Sequence, residues 1–247
     1  MELNDLLREE NLNADHVMVL RHRPFEGGLE TRLRVWALDR PDLFNAYQST
    51  QNVRVEKAMS TATHIVSAVA CGPGRALFVE VFENRGSRPI SLDQYWAIPE
   101  HAEMRQFGMK GFTADEGRSS IELFDLHRTP MLERWSGKLV FEWPGKELSW
   151  WRWASRNHFP IHAIHDENRL VERMLSWDDL VLRWHELSAL PSLWKAAMQQ
   201  WRGVYRIFDS KDGKAYVGSA YGKEKHPRPL AELCCDWARW QRLAASA

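Results

Sequence analysis

The chain has 247 residues, 44% of them hydrophobic and 27% charged, with 33 basic side chains against 33 acidic. That length allows one large domain or two modest ones, and the composition excludes collagen-like, disordered and disulfide-rich classes. Zero formal net charge removes any global electrostatic argument for nucleic acid, and no run approaches the roughly eighteen apolar residues of a membrane span.

The opening "MELNDLLREENLNADH" is acidic and lacks the apolar stretch of a secretory signal, so a cytoplasmic location is expected. Cysteine usage agrees with that compartment. Cys71 stands alone, Cys234 and Cys235 are adjacent, and no Cys-x-x-Cys occurs, so neither a disulfide framework nor a cysteine zinc site is indicated.

In chain order, "LNDLLREE" reads as a helix and "HVMVLRH" as a strand. "GLETRLRVWALDR" shows helical spacing at Leu29, Leu33, Val35 and Trp36, and Pro41-Asp42 restarts a helix over "DLFNAYQST". "ATHIVSAVAC" and "RALFVEVFEN" are β-branched runs joined by "GPG", which predicts a hairpin. "SLDQYWAIPEHAEMRQFG" reads as short helices broken at Pro99, and "SSIELFDLHR" and "GKLVFEW" as strands. Helix and strand in irregular order give the class α+β. "LPSLWKAAMQQW" predicts a helix from Pro191 or Ser192 that Gly203 stops. The domain boundary is therefore drawn within 188–201, with residues 1–190 as one α+β domain and 191–247 as a second.

Charge is uneven between these parts. Residues 198–247 carry nine Lys/Arg and five Asp/Glu, a surplus of four cations that the rest of the chain balances. Such a bias suits a small phosphate-contacting module.

That module opens with a hairpin. Residues 203–208 and 214–219 alternate in polarity, and Asp212-Gly213 between them is a strong turn signal. A two-residue loop pairs Tyr205 with Ala220. A four-residue loop, 210–213, pairs Tyr205 with Gly218 and Ile207 with Tyr216. Both registers put the two tyrosines on one face, because strand side chains alternate with period two.

Gly203-Val204-Tyr205, then ten residues, then Tyr216-Val217-Gly218 continuing as Ser219-Ala220, resembles the opening of the GIY-YIG nuclease domain. "FGMKGFT" and "SWWRWASRN" are similar to segments of bacterial proteins that carry an uncharacterised region, possible target recognition, before such a domain. The resemblance implies an α/β-sandwich of which 203–219 is the first hairpin, and metal-dependent endonucleolytic hydrolysis of DNA with magnesium or manganese. It gives Tyr205 and Tyr216 catalytic roles, the first helping to activate or place the attacking water. Gly203 and Gly218 shape the site, Gly218 allowing close approach, and Arg202, Arg206 and Lys214 are candidate nucleic-acid contacts. No metal ligand carries over, because the family's phosphate arginine and metal glutamate have no matched position in the atypical tail 223–247.

The tail has an explanation in its own codons. One permitted back-translation from Lys225 onward, shifted by one base, reads Asn-Ile-Leu-Gly-Arg-Trp-Leu-Asn-Tyr-Ala-Ala-Thr-Gly-His-Gly-Gly-Asn, the segment such a domain carries next. Trp237 and Trp240 have a single codon each, and each yields a glycine where one belongs. The expectation is a frameshifted, truncated family member, inactive as it stands. The alternatives are an ordinary terminal helix bearing Leu230, Leu233, Cys234, Trp237, Trp240 and Leu243, and a non-catalytic nucleic-acid-binding or adaptor protein acting through the larger domain.

Three further clusters bear on chemistry. His158, His162 and His165 invite a metal reading, with Asp166 or Glu167, but Pro160 interrupts any helical spacing and solvated histidines are favoured. Trp150, Trp151 and Trp153 in "SWWRW" offer a base-stacking surface assisted by Arg152, with core packing favoured over it. "CGPGR" lacks a phosphate loop's lysine and reads as a turn.

Overall fold

Helix starts are written locally. Pro41 and Pro99 occupy the first turn of their helices, where a missing N–H costs nothing. The Asn52 side chain accepts from the Val55 N–H, and Ser91 with Gln94 forms a reciprocal capping box. The computed structural model describes residues 1–24, 29–145, 149–171, 174, 176–187, 190–200, 202–209 and 213–220. The chain divides into two units, Met1–Glu172 and Arg173–Ala247, ahead of the 188–201 segment where the sequence changes character.

The first unit runs α1 Leu3–Glu9, β1 Val17–His22, α2 Leu29–Asp39, α3 Pro41–Gln48, α4 Val53–Met59, β2 His64–Ala70 and β3 Arg75–Ser91. It continues with α5 Leu92–Trp96, α6 Pro99–Gln106, β4 Ser120–Arg128, β5 Leu139–Glu142, β6 Trp151–Trp153 and β7 Ile161–Ile164. The class is α+β. Within this unit, among the described residues, seven strands form one sheet in the order β6–β1–β2–β3–β5–β7, with β4 also on β3. β1 and β2 are parallel, bridged by α2 to α4, and every other pairing is antiparallel. β3 is long because it serves two partners along one edge: Arg75–Leu77 pair with β5, and residues from Phe82 to Ser91 pair with β4.

Both sheet faces are covered, which is why all six residues of β1 are buried. On one face Met18, Leu20, Ile65, Val69, Leu77 and Val79 pack with Leu33, Trp36, Leu43, Phe44, Val55, Met59, Tyr95 and Met104 from α2 to α6. On the other, Val17, Val19, Val66, Ala68, Ala76 and Phe78 meet Leu3, Leu6 and Leu7 of α1 together with Leu132, Phe141 and Phe159.

Packing also decides what α4 and β6 leave at the surface. α4 sends Val55 and Met59 into the core and leaves Arg54 and Lys57 exposed. Its Glu56 turns to Arg118 (2.8 Å) and accepts the Glu122 N–H (3.1 Å), fixing the helix to the loop before β4. β6 is an edge strand that pairs with β1 alone, Trp153 opposite Met18 and Trp151 opposite Leu20.

The second unit contains α7 Trp184–Leu187, α8 Ser192–Gln200, β8 Gly203–Phe208 and β9 Ala215–Ala220 among its described residues. α8 begins at Ser192, one of the two expected starts. No helix among the described residues is long and apolar enough to cross a membrane. The tail 221–247, with both readings of it, lies outside the described residues.

Candidate functional site

β8 and β9 form an antiparallel pair in which Tyr205 stands opposite Gly218 and Ile207 opposite Tyr216. Of the two registers open to the sequence, the structure takes the four-residue loop. The Asp209 N–H donates to the Lys214 carbonyl (2.9 Å), the Gly213 N–H donates to the Asp209 carbonyl (2.9 Å), and Gly213 takes φ +73°, which glycine adopts without strain.

This register explains both glycine-bearing triplets. A Cβ at 218 would lie 2.5 Å from Tyr205 Cζ and 2.6 Å from its Oη, so the tyrosine ring occupies the space that glycine leaves open. Tyr216, on the same face, places its ring centroid 6.4 Å from that of Tyr205, with the planes at 50°. Burial, and secondarily the adjacent Tyr216 phenol, push the Tyr205 pKa above the usual tyrosine value. At neutral pH Tyr205 is therefore a phenol that donates, not a phenolate that abstracts. Gly218→Ala is expected to turn the Tyr205 ring aside. The clash involves the end of a side chain, so stability changes by about 1 kcal/mol or less, while the Tyr205 ring-proton chemical shifts move. Unmoved shifts would show that the ring does not rest on Gly218.

The basic candidates are spread out. Arg206 lies on the opposite face with Val204, Phe208 and Val217, its guanidinium carbon 5.6 Å from the Phe208 ring centroid. Arg202 is exposed just before β8, Lys214 is exposed at the loop end, and Gly203 faces Ala220. The structure thus brings together Tyr205, Tyr216 and Gly218 and leaves Arg206 on the far side of the ribbon.

The other sequence candidates fall in the first unit. His158 contacts Glu2 (3.2 Å), His162 lies 3.9 Å from Glu142, and the His165 N–H donates to the Lys138 carbonyl. Among the described residues no group of three or more His, Cys, Asp or Glu converges as a metal site. "CGPGR" is the β2–β3 turn, with Gly72 and Gly74 at φ +114° and +60°. Its carbonyls face a cation, since Arg21 donates to Arg75 O (2.9 Å) and Gly72 O (3.2 Å).

The tryptophan cluster departs from the favoured core reading. Trp150, Trp151 and Trp153 pack one side on the core and are only partly buried, because β6 is an edge. Arg152 does not assist them on their own face. Strand alternation sends it opposite Val19, where it donates to the Pro144 carbonyl (3.2 Å) and lies 5.8 Å from the Trp143 ring centroid. The cations near Trp151 and Trp153 come instead from Arg54, Lys57 and Arg156. Sequence reading missed these three because α4 and the turn after β6 meet through long-range pairing.

Comparison with protein-family models, with curated proteins and with solved structures gave no match.

Proposed function

We propose that residues 203–220 open a GIY-YIG-type nuclease domain whose intact form hydrolyses DNA phosphodiesters with magnesium or manganese. The observation that carries this reading is the placement of Tyr205 directly over Gly218 with Tyr216 beside it on one face. Two phenols at that spacing suit the orientation of a water molecule or a phosphoryl oxygen. The raised Tyr205 pKa favours placing the nucleophile by hydrogen bonding over taking its proton.

Among the described residues this face does not supply a metal site. It offers two phenols and the Asp209 carboxylate at its end, whereas a hard divalent cation takes about six oxygens with carboxylates among them. No step is assigned to a metal. We further propose that residues from about 225 are read in a shifted frame. Sequencing the gene through the codons for Tyr221 to Ala247 is expected to show a one-base shift that restores Gly-Arg-Trp and His-Gly-Gly-Asn. The restored protein nicks supercoiled plasmid with Mg²⁺ or Mn²⁺, and Tyr205→Phe lowers that rate about 100-fold, while the chain ending at Ala247 does not nick. A gene without those shifted codons would overturn the frameshift reading, and full nicking by Tyr205→Phe would overturn the role of Tyr205.

A second reading, a nucleic-acid-binding adaptor acting through the first unit, is favoured by the exposed tryptophan edge.

A further inference from the structure

Beside β6 the first unit carries two adjoining open depressions of about 500 and 540 Å³ that share Arg54, Trp151 and Trp153. From the geometry we infer that they form one groove that binds single-stranded nucleic acid, with bases stacked on Trp151 and Trp153 and phosphates held by Arg54, Lys57 and Arg156.

The walls come from three elements. Arg54, Lys57, Ala58 and Thr61 recur at helical spacing along α4 and just past its end, so one face of that helix lines the first depression. β6 supplies the tryptophans, and the turn after it supplies Arg156. Asp15 is the single carboxylate in either lining, and His16 lies next to it. Glu56, the acid within α4, is held away from the groove by Arg118. Arg54, Lys57 and Arg156 are exposed and have no ion pair among the described residues, so no protein carboxylate neutralises them.

Aromatic chemistry narrows the ligand. Trp151 and Trp153 are two apart on one strand and on one face, hence roughly 6.6 Å apart along it. That separation admits one flat ring between or across the indoles. Their indole N–H groups have no protein acceptor among the described residues. An acidic peptide would satisfy the cations but not the tryptophans, whereas every base has a face that stacks. A duplex keeps its bases stacked inside and offers only phosphates.

The groove stands independently of the hairpin, and the test separates the two. The full chain is titrated with a fluorescein-labelled dT₁₅ oligonucleotide, read by anisotropy and by tryptophan quenching. Binding is expected, tighter than to a duplex of equal length or to polyglutamate. With about three phosphates engaged, log K falls with log salt at a slope of about −2. The Arg54→Ala/Lys57→Ala pair changes only exposed side chains, so the fold, checked by circular dichroism, is kept. It weakens binding tenfold or more and flattens the salt slope by about 1. Trp151→Ala weakens binding about tenfold and Trp151→Phe restores most of it, since the aromatic face returns. Tyr205→Phe leaves binding unchanged, whatever the hairpin does. No binding at 50 mM salt, equal affinity for duplex or polyglutamate, or an unaffected Arg54→Ala/Lys57→Ala protein would each overturn the groove.

Discussion

Gly111→Val is expected to lower the melting temperature of the first unit by about 10 °C. Gly111 takes φ +58°, a left-handed conformation that costs an L-residue about 1–2 kcal/mol and a β-branched one more. Conformation is the smaller part. A Cβ there would lie 2.6 Å from the Tyr95 Oη, 2.9 Å from the Trp96 indole and 3.0 Å from Tyr95 Cε1. Tyr95 cannot retreat. It is 2% exposed, stacks on His101 at a centroid distance of 4.0 Å, and meets Trp96 and Phe112 edge-on. His101 is itself fully buried and touches the Tyr95 and Ala46 carbonyls at 3.0 and 3.2 Å, so any shift of the ring is passed to α3 and α6. Forcing atoms into such a packed site costs about 1–3 kcal/mol, for about 4 kcal/mol in all. Gly117→Val is the control: Gly117 has φ +69° and nothing within 4 Å of its would-be Cβ. It carries the conformational cost alone, so its melting temperature should drop less than half as far. Equal drops in calorimetry would show that backbone strain accounts for both and that Tyr95 yields.

These glycines illustrate what the sequence exposes and what it withholds. "FGMKGFT" stands out by composition, but a glycine's pressure from a tyrosine sixteen residues earlier is a tertiary fact. The elements that were legible carry their cause within a few residues. Pro41 and Pro99 start helices, "GPG" closes the β2–β3 hairpin, and β1 reads as an apolar run. α4 does not announce itself, because "VRVEKAM" mixes β-branched and charged residues and is defined as a helix by Val55 and Met59 reaching the core. β6 is three residues long, too short for any period, and exists through its pairing with β1 over 130 positions away.

Part of the site could have been read further. "WRW" on a strand must put Arg152 on the face away from both tryptophans, a parity argument that needs no structure. That the tryptophans sit at an edge, and that α4 lays Arg54 and Lys57 beside them, depended on sheet order and was not available locally. The hairpin lies between these extremes. Asp212-Gly213 marked the turn, while the choice between a two-residue and a four-residue loop was settled by Tyr205 resting on Gly218.

Stability is also expected to fall as pH drops from 6.5 toward 4, and His22 is the reason. The side chain ends β1 within the α3 side of the core, edge-on to Phe44 at 5.4 Å and Tyr47 at 5.5 Å. Burial holds its pKa down at about 4 against an ordinary value of 6.5, and a hydrogen bond to Gln48 opposes the shift only partly. Gln48 is committed elsewhere too, since its Oε1 accepts the Ser67 hydroxyl inside the sheet. Between pH 6.5 and 4 the unfolded chain takes up a proton on His22 that the folded chain refuses, so stability rises with pH across that window. The cost is absent above pH 6.5 and reaches about 3 kcal/mol below pH 4. Glu80 works in the opposite sense. Burial pushes its carboxyl up to about 7 although Arg128 pulls it down, so its folded form holds a proton between pH 4.5 and 7 and favours the acid side. The wild-type curve therefore mixes two opposed slopes. Urea unfolding of wild type and His22→Leu at intervals from pH 4 to 7.5 separates them, because Glu80 is common to both proteins and cancels in the difference. The variant loses ring packing at every pH, a constant offset, and gains relative to wild type by about 3 kcal/mol as the solution is acidified. A difference that stays flat with pH would mean that His22 is protonated in the folded core and that Gln48 outweighs its burial.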